Sequence, residues 1–133
     1  MFSLEFERTH KVLLTRFSGM LLPDDIRALD EAVRLFVRDH GHVSGLLDFS
    51  GVTVVAIPYS FFRARSRSPQ ISLGPQRVFV ASQEEVLAMA RRYASHERDY
   101  GNTEPAIVPT MAEAYEILNM ESPNFVAVHA FAG

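Results

Sequence analysis

The chain contains no cysteine. That absence excludes disulfides, thiolate chemistry and cysteine-ligated zinc. A basic excess is missing as well. Thirteen Lys and Arg against 16 Asp and Glu leave a formal net charge of −3, so nucleic acid is not an expected partner. No run of about 18 apolar residues occurs, which leaves no candidate membrane span. The start, Met1-Phe2-Ser3-Leu4-Glu5-Phe6-Glu7, lacks the basic stretch and apolar block of a secretory signal, and the expected location is the cytoplasm. Gly-x-Gly-x-x-Gly, a Walker loop and the Gly-x-Ser-x-Gly frame are all missing, so neither a nucleotide fold nor a nucleophile elbow is supported. No cofactor is expected.

What is present fits one α/β domain of 133 residues, with 47% apolar and 22% charged residues. Phe2, Leu4 and Phe6 alternate with polar neighbours, which predicts a strand with one buried face. Val12–Phe17 reads as its hairpin partner, ended by Ser18-Gly19. Pro23-Asp24-Asp25 opens a helix whose apolar stripe is Ile26, Leu29, Val33, Phe36 and Val37 and whose stop is Gly41. Val43–Phe49 is more continuously apolar, as a strand covered on both faces should be. A turn is expected at Ser50-Gly51, an apolar run to Ile57, and a helix from Pro58 to about Arg67 with Arg63, Arg65 and Arg67 on its outer face.

Ser68-Pro69 and Gly74-Pro75 bracket a loop before a strand at Arg77–Ala81. Ser82 and Glu85 have capping-box spacing for a helix carrying Val86, Leu87, Met89, Ala90 and Tyr93, and His96–Asn102 reads as a polar loop. Ala106–Val108 forms a short strand. Thr110 and Glu113 cap a last helix with Ala114, Tyr115 and Leu118 inward. The core spans about residues 2–120. In the tail, 121–133, Phe125, Val126 and Val128 would add a strand or pack on the core. The predicted order, β-β-α-β-α-β-α-β-α, describes an open mixed β-sheet with helical crossovers.

That order, with the Pro-Asp-Asp helix and the sequence Leu46-Leu47-Asp48-Phe49-Ser50-Gly51-Val52, resembles the STAS / SpoIIAA-like family of small bacterial domains, which includes anti-sigma factor antagonists. The resemblance runs from about residue 11 to about residue 120. It implies a non-enzymatic regulatory or protein-interaction module with an unidentified protein partner. Family members carry Asp-Ser-Ser-Gly or Asp-Thr-Ser-Gly at the start of the following helix, where phosphorylation adds about two negative charges and alters docking. The matching positions here are Ala56-Ile57-Pro58-Tyr59, so the acid and both hydroxyls are missing and the phosphoswitch is expected to be lost. Ser60 lies one residue beyond. The SpoIIAA-like group also resembles the lipid-carrying SEC14-like fold, which implies an alternative role as carrier of a small apolar or lipid-like ligand.

Several residues are candidate functional groups. Asp48 is either a ligand-binding acid or a strand-end aspartate accepting hydrogen bonds from the Ser50-Gly51 turn. Arg63, Arg65 and Arg67, followed by Arg77, are either an anion-binding group or a solvated helix face; Arg63 and Arg67 share a stripe and Arg65 does not. The histidines are His10, His40, His42, His96 and His129; only His40 and His42 are close, with no spaced third ligand, so no metal site is expected. His96-Glu97-Arg98-Asp99-Tyr100 gathers titratable groups that could serve acid–base chemistry. Tyr59, Phe61, Phe62, Phe79, Tyr93 and Tyr115 read mainly as core, with some available to line a pocket. The expected partner- or ligand-binding surface runs from Ser50 to Arg67 and comprises Asp48, Ser50, Tyr59, Ser60, Phe62, Arg63 and Arg67, with no catalytic residue. Homodimerisation through helix faces or sheet edges is also expected.

Overall fold

A computed structural model of the chain describes residues 1–67 and 76–128, Ser66 and Arg67 by their backbone alone. The loop expected between Ser68-Pro69 and Gly74-Pro75, His129, and the end of the tail lie outside the described residues. The elements are β1 (Phe2–Glu7), β2 (Val12–Leu21), α1 (Pro23–His40), β3 (Ser44–Val55), α2 (Tyr59–Arg67), β4 (Arg77–Val80), α3 (Glu84–Asp99), β5 (Ala106–Val108), α4 (Met111–Ile117) and β6 (Val126–Ala127). They build an α/β fold with a six-stranded open mixed sheet in the order β5-β4-β3-β2-β1-β6. β2, β3, β4 and β5 run parallel; β1 is antiparallel to β2, and β6 is antiparallel to β1.

Side-chain alternation along the strands sends successive residues to opposite faces. Leu13, Phe17, Phe49 and Phe79 meet the apolar stripes of α1, α2 and α3 on one face. Val12, Leu14, Leu46, Val78 and Val80 meet Ala114 and Leu118 of α4 on the other. The central strand is therefore covered on both faces, as its continuous apolar sequence predicted. On α1 the buried residues are Ile26, Leu29, Ala32, Val33 and Phe36. Its first turn is secured by the Asp25 carboxylate accepting from the Leu22 N–H at 2.9 Å, and it stops at Gly41, whose φ of 83° suits glycine.

Four expectations are corrected. β2 does not end at Phe17 and Ser50-Gly51 is not a turn, because both strands continue, paired, to Leu21 and Val55. The pairing shifts twice, from Arg16↔Asp48 to Ser18↔Gly51 and from Gly19↔Val52 to Met20↔Val54, each shift placing an extra residue in β3. Such bulges absorb the Ser-Gly pair that a turn would otherwise use. A Cβ on Gly51 would stand 2.7 Å from the Phe17 carbonyl oxygen, so the close strand approach there needs glycine. His96–Asp99 are the last turn of α3 and not a loop. That helix is preceded by Gln83, which makes no side-chain capping bond, in place of the expected Ser82 cap. The tail contributes β6, one of the two outcomes expected of it, and so adds a sixth strand to the predicted order. At α4 the expected cap is present, with Thr110 Oγ1 accepting from the Glu113 N–H at 3.2 Å.

Candidate functional site

On the face covered by α1, α2 and α3, the strand register sets two cross-strand rows, Leu13–Gly45–Arg77 and Thr15–Leu47–Phe79. Gly45 and Thr15 place little bulk at the middle of this floor, and the helices cannot close down on it. A cavity of about 260 Å³ remains. Ile26, Leu29 and Val33 of α1, Phe62 of α2 and Met89 of α3 wall it with hydrocarbon. Aromatic rings run along one side: Phe49, backed by Phe17 stacked on it at 4.9 Å, meets Phe79 edge-on at 5.4 Å, and Tyr93 lies 5.7 Å from Phe79 and 5.6 Å from Phe62. Edge and stacked pairs of this kind hold ring orientation as well as area.

One end of the cavity is polar. Arg65 donates from Nε to Asp30 Oδ2 at 2.9 Å and from Nη2 to Asp30 Oδ1 at 2.5 Å, a bidentate bond that ties α2 to α1. Its Nη1 donates to the Tyr93 hydroxyl at 2.5 Å, adding α3. Arg77 Nη1 donates to the same hydroxyl at 3.0 Å, and its Nη2 donates to the Thr103 carbonyl. Behind them Glu97, with 0% of its surface exposed, holds a carboxylate oxygen 3.9 Å from Arg77 Nη1. The Glu97 oxygens have no hydrogen-bond partner among the described residues. Burial works against the Arg65 charge, but the bonds to Asp30 and the contacts with Tyr93 outweigh it, so its pKa lies above the ordinary arginine value. Burial pushes the Tyr93 hydroxyl above its usual range despite the two adjacent guanidinium groups. Both groups therefore keep their neutral-pH protonation states. The side chains of Asp30 and Arg65 are 30% and 27% exposed, so the polar end faces solvent more than the apolar floor does.

The residues expected to form one binding surface are divided by the fold. Asp48 points to the α4 face, opposite the cavity. There it accepts from the Ser50 N–H at 3.0 Å and from Arg16 Nη1 at 3.1 Å, with Glu5 holding Arg16 Nε at 2.7 Å. The expected bond from the Ser50 N–H is present, but Asp48 accepts it in mid-strand and not at a strand end before a turn. Ser50 is exposed, and its carbonyl accepts weakly from Gln83 Nε2 at 3.4 Å. Tyr59 is exposed with the Arg92 guanidinium over its ring, and Ser60 and Arg63 are exposed on α2. The Arg67 side chain lies outside the described residues. Phe62 turns inward, so it is available to a cavity ligand and not to a surface partner.

Arg65, expected on the outer face, is instead the arginine that turns in. A local signal existed: Phe61 and Phe62 lie four and three residues before it, so all three share a helix stripe. Its partners Asp30 and Tyr93 lie 35 and 28 positions away and gave no local sign.

Among the described residues no group of three or more His, Asp or Glu is arranged to hold a metal, and no helix is long and apolar enough to cross a membrane. His10 is bonded to Glu7, and His40 stacks on Phe36 with ring centroids 4.1 Å apart. No known family model matches the chain, and no curated protein shows significant similarity to it.

Proposed function

We propose that this protein binds a small, predominantly apolar molecule in the cavity between its sheet and α1, α2 and α3, and acts as a carrier or sensor without catalysing a reaction. The observation that carries the reading is the cavity itself, apolar along its walls with convergent polar groups at one end, which is the usual composition of a small-molecule site. At roughly 30 Å³ per water-sized group, 260 Å³ accommodates about nine non-hydrogen atoms. Between the two limits of ligand efficiency, roughly 0.5–0.9 kcal/mol per atom gives about 4.5–8 kcal/mol for a ligand of that size, a Kd from the sub-millimolar to the micromolar range. The resemblance of the sequence to SpoIIAA-like domains, and through them to a lipid-carrying fold, agrees with this role at a coarse level.

The test is displacement of a small environment-sensitive fluorophore, compared between the wild type and Leu47→Trp, which fills the cavity floor. Saturable binding by the wild type, weakened about tenfold or more by Leu47→Trp with the fold intact by circular dichroism, is the expected result. Equal binding by both proteins would place the probe elsewhere and remove the basis for the reading.

A second reading, the STAS-like protein-interaction module, is favoured by a different observation. Met20, Leu22, Val54 and Tyr59 are exposed large apolar residues, and Met20 and Val54 are neighbours in the strand register. With Arg63 nearby on α2, they make a mixed apolar and basic surface of the kind that docks partners. Pull-down from the host with Val54→Glu and Arg63→Glu as controls separates this reading from the carrier.

A further inference from the structure

The polar end of the cavity also specifies the kind of head group its ligand carries. Counted in their ordinary ionised forms, Arg65 and Arg77 bring two positive charges and Asp30 and Glu97 two negative ones, so the four groups sum to zero before any ligand arrives. Arg65 is matched by its bidentate bond to Asp30. Arg77, 13% exposed, has the fully buried Glu97 as its counter-charge at 3.9 Å. A ligand carboxylate or phosphate at this end would add a negative charge beside the Asp30 and Glu97 carboxylates, where each arginine among the described residues already has a counter-charge, and a charge taken from water without a partner is unfavourable.

What the cluster retains is donor capacity. A guanidinium has five N–H groups. Among the described residues Arg65 uses three, on the two Asp30 oxygens and the Tyr93 hydroxyl, and Arg77 uses two, on Tyr93 and the Thr103 carbonyl. The Tyr93 oxygen already accepts from both arginines, and its own hydrogen faces the Glu97 carboxylate, so the donors left for a ligand are those of the guanidinium groups. Thr15, buried on the cavity floor, adds a hydroxyl. The site is thus rich in donors and balanced in charge.

Resting on the reading of the cavity as a ligand site, we propose that its ligand is a neutral molecule of about ten non-hydrogen atoms, with a hydrocarbon body and a hydrogen-bond-accepting oxygen, as in a ketone or other carbonyl compound, at one end. The body lies against the Phe49, Phe79 and Phe62 rings. The oxygen meets the N–H groups of Arg65 and Arg77 that no described residue accepts from.

The experiment uses the wild-type protein and probes matched in size: 2-nonanone, octanoate and hexyltrimethylammonium, each with about ten non-hydrogen atoms. Each competes with the same fluorophore, and titration calorimetry confirms the ranking. The expected result is that 2-nonanone binds about tenfold or more tighter than octanoate, in line with the loss of a charge-assisted bond or the burial of an unpaired charge. Arg77→Met should weaken 2-nonanone about tenfold while the near-ultraviolet circular dichroism spectrum is retained. Tighter binding of octanoate or of hexyltrimethylammonium would overturn the neutral head group while leaving the cavity as the binding site. Failure of all three to bind, with the fluorophore unaffected by Leu47→Trp, would overturn both.

Discussion

Asp30→Ala is the perturbation that bears most directly on how the cavity is held together. It removes both carboxylate acceptors of the Arg65 guanidinium, leaving Arg65, among the described residues, its bond to Tyr93, and uncouples α2 from α1 at the cavity's polar end. Fully exposed ion pairs contribute about 0–1 kcal/mol, and breaking fully buried ones costs about 3–5 kcal/mol. At 30% and 27% exposure this bidentate pair lies between those limits, and about 2 kcal/mol is expected. For a domain of this size that is a fall in Tm of about 6–10 °C. The assay is urea denaturation of the wild type, Asp30→Ala, Arg65→Met and the double variant, with unchanged m-values as the sign that only stability moved. The double-mutant cycle should return a coupling of about 1–2 kcal/mol between the two positions. A coupling below about 0.3 kcal/mol would show that the pair contributes nothing beyond its separate contacts, and the reasoning would fail.

Three further outcomes follow from the geometry. Gly51→Ala places a Cβ 2.7 Å from a backbone oxygen of the neighbouring strand, and it should cost about 1–3 kcal/mol in denaturation experiments; no loss would show that the bulge relaxes freely. Thr110→Ala removes the cap of α4 and should cost about 1 kcal/mol, with Thr110→Ser recovering most of it. Burial pushes the Glu7 pKa up, but the N–H groups of His10 and Thr9 and the His10 ring outweigh this and hold it below its ordinary value of 4.5. A lowered folded-state pKa gives stability that is fully present above the unfolded pKa and disappears as pH falls through the folded one. The Tm gap between the wild type and Glu7→Gln should therefore be open at pH 7 and close on acidification below 4.5; a gap that persists unchanged into strong acid would contradict it.

Most of the architecture was legible because it is written in local periodicity. The alternation at Phe2–Glu7, the stripe from Ile26 to Phe36 and the Thr110–Glu113 cap each depend on residues a few positions apart. Ser50-Gly51 misled because serine and glycine are turn residues in isolation, whereas their role here is set by the approach of Phe17, over thirty residues earlier. The last turn of α3 misled in the same way, since His96–Asp99 is polar in sequence but includes Glu97, the most deeply buried acid of the described residues. The cavity was legible only as a set of aromatics, because the row Leu13–Gly45–Arg77 exists only once three strands are in register. Asp48 and Arg63 are close enough in sequence to suggest one surface, but the strand pleat sends Asp48 to the opposite face of the sheet.

The most direct test of the central proposal is native mass spectrometry of the protein purified from its own host, recorded before and after denaturation. The carrier reading predicts a mass excess that denaturation releases as a neutral compound of about ten non-hydrogen atoms. A protein that shows only its own mass, and that takes up none of the matched probes when they are added in excess, would contradict it.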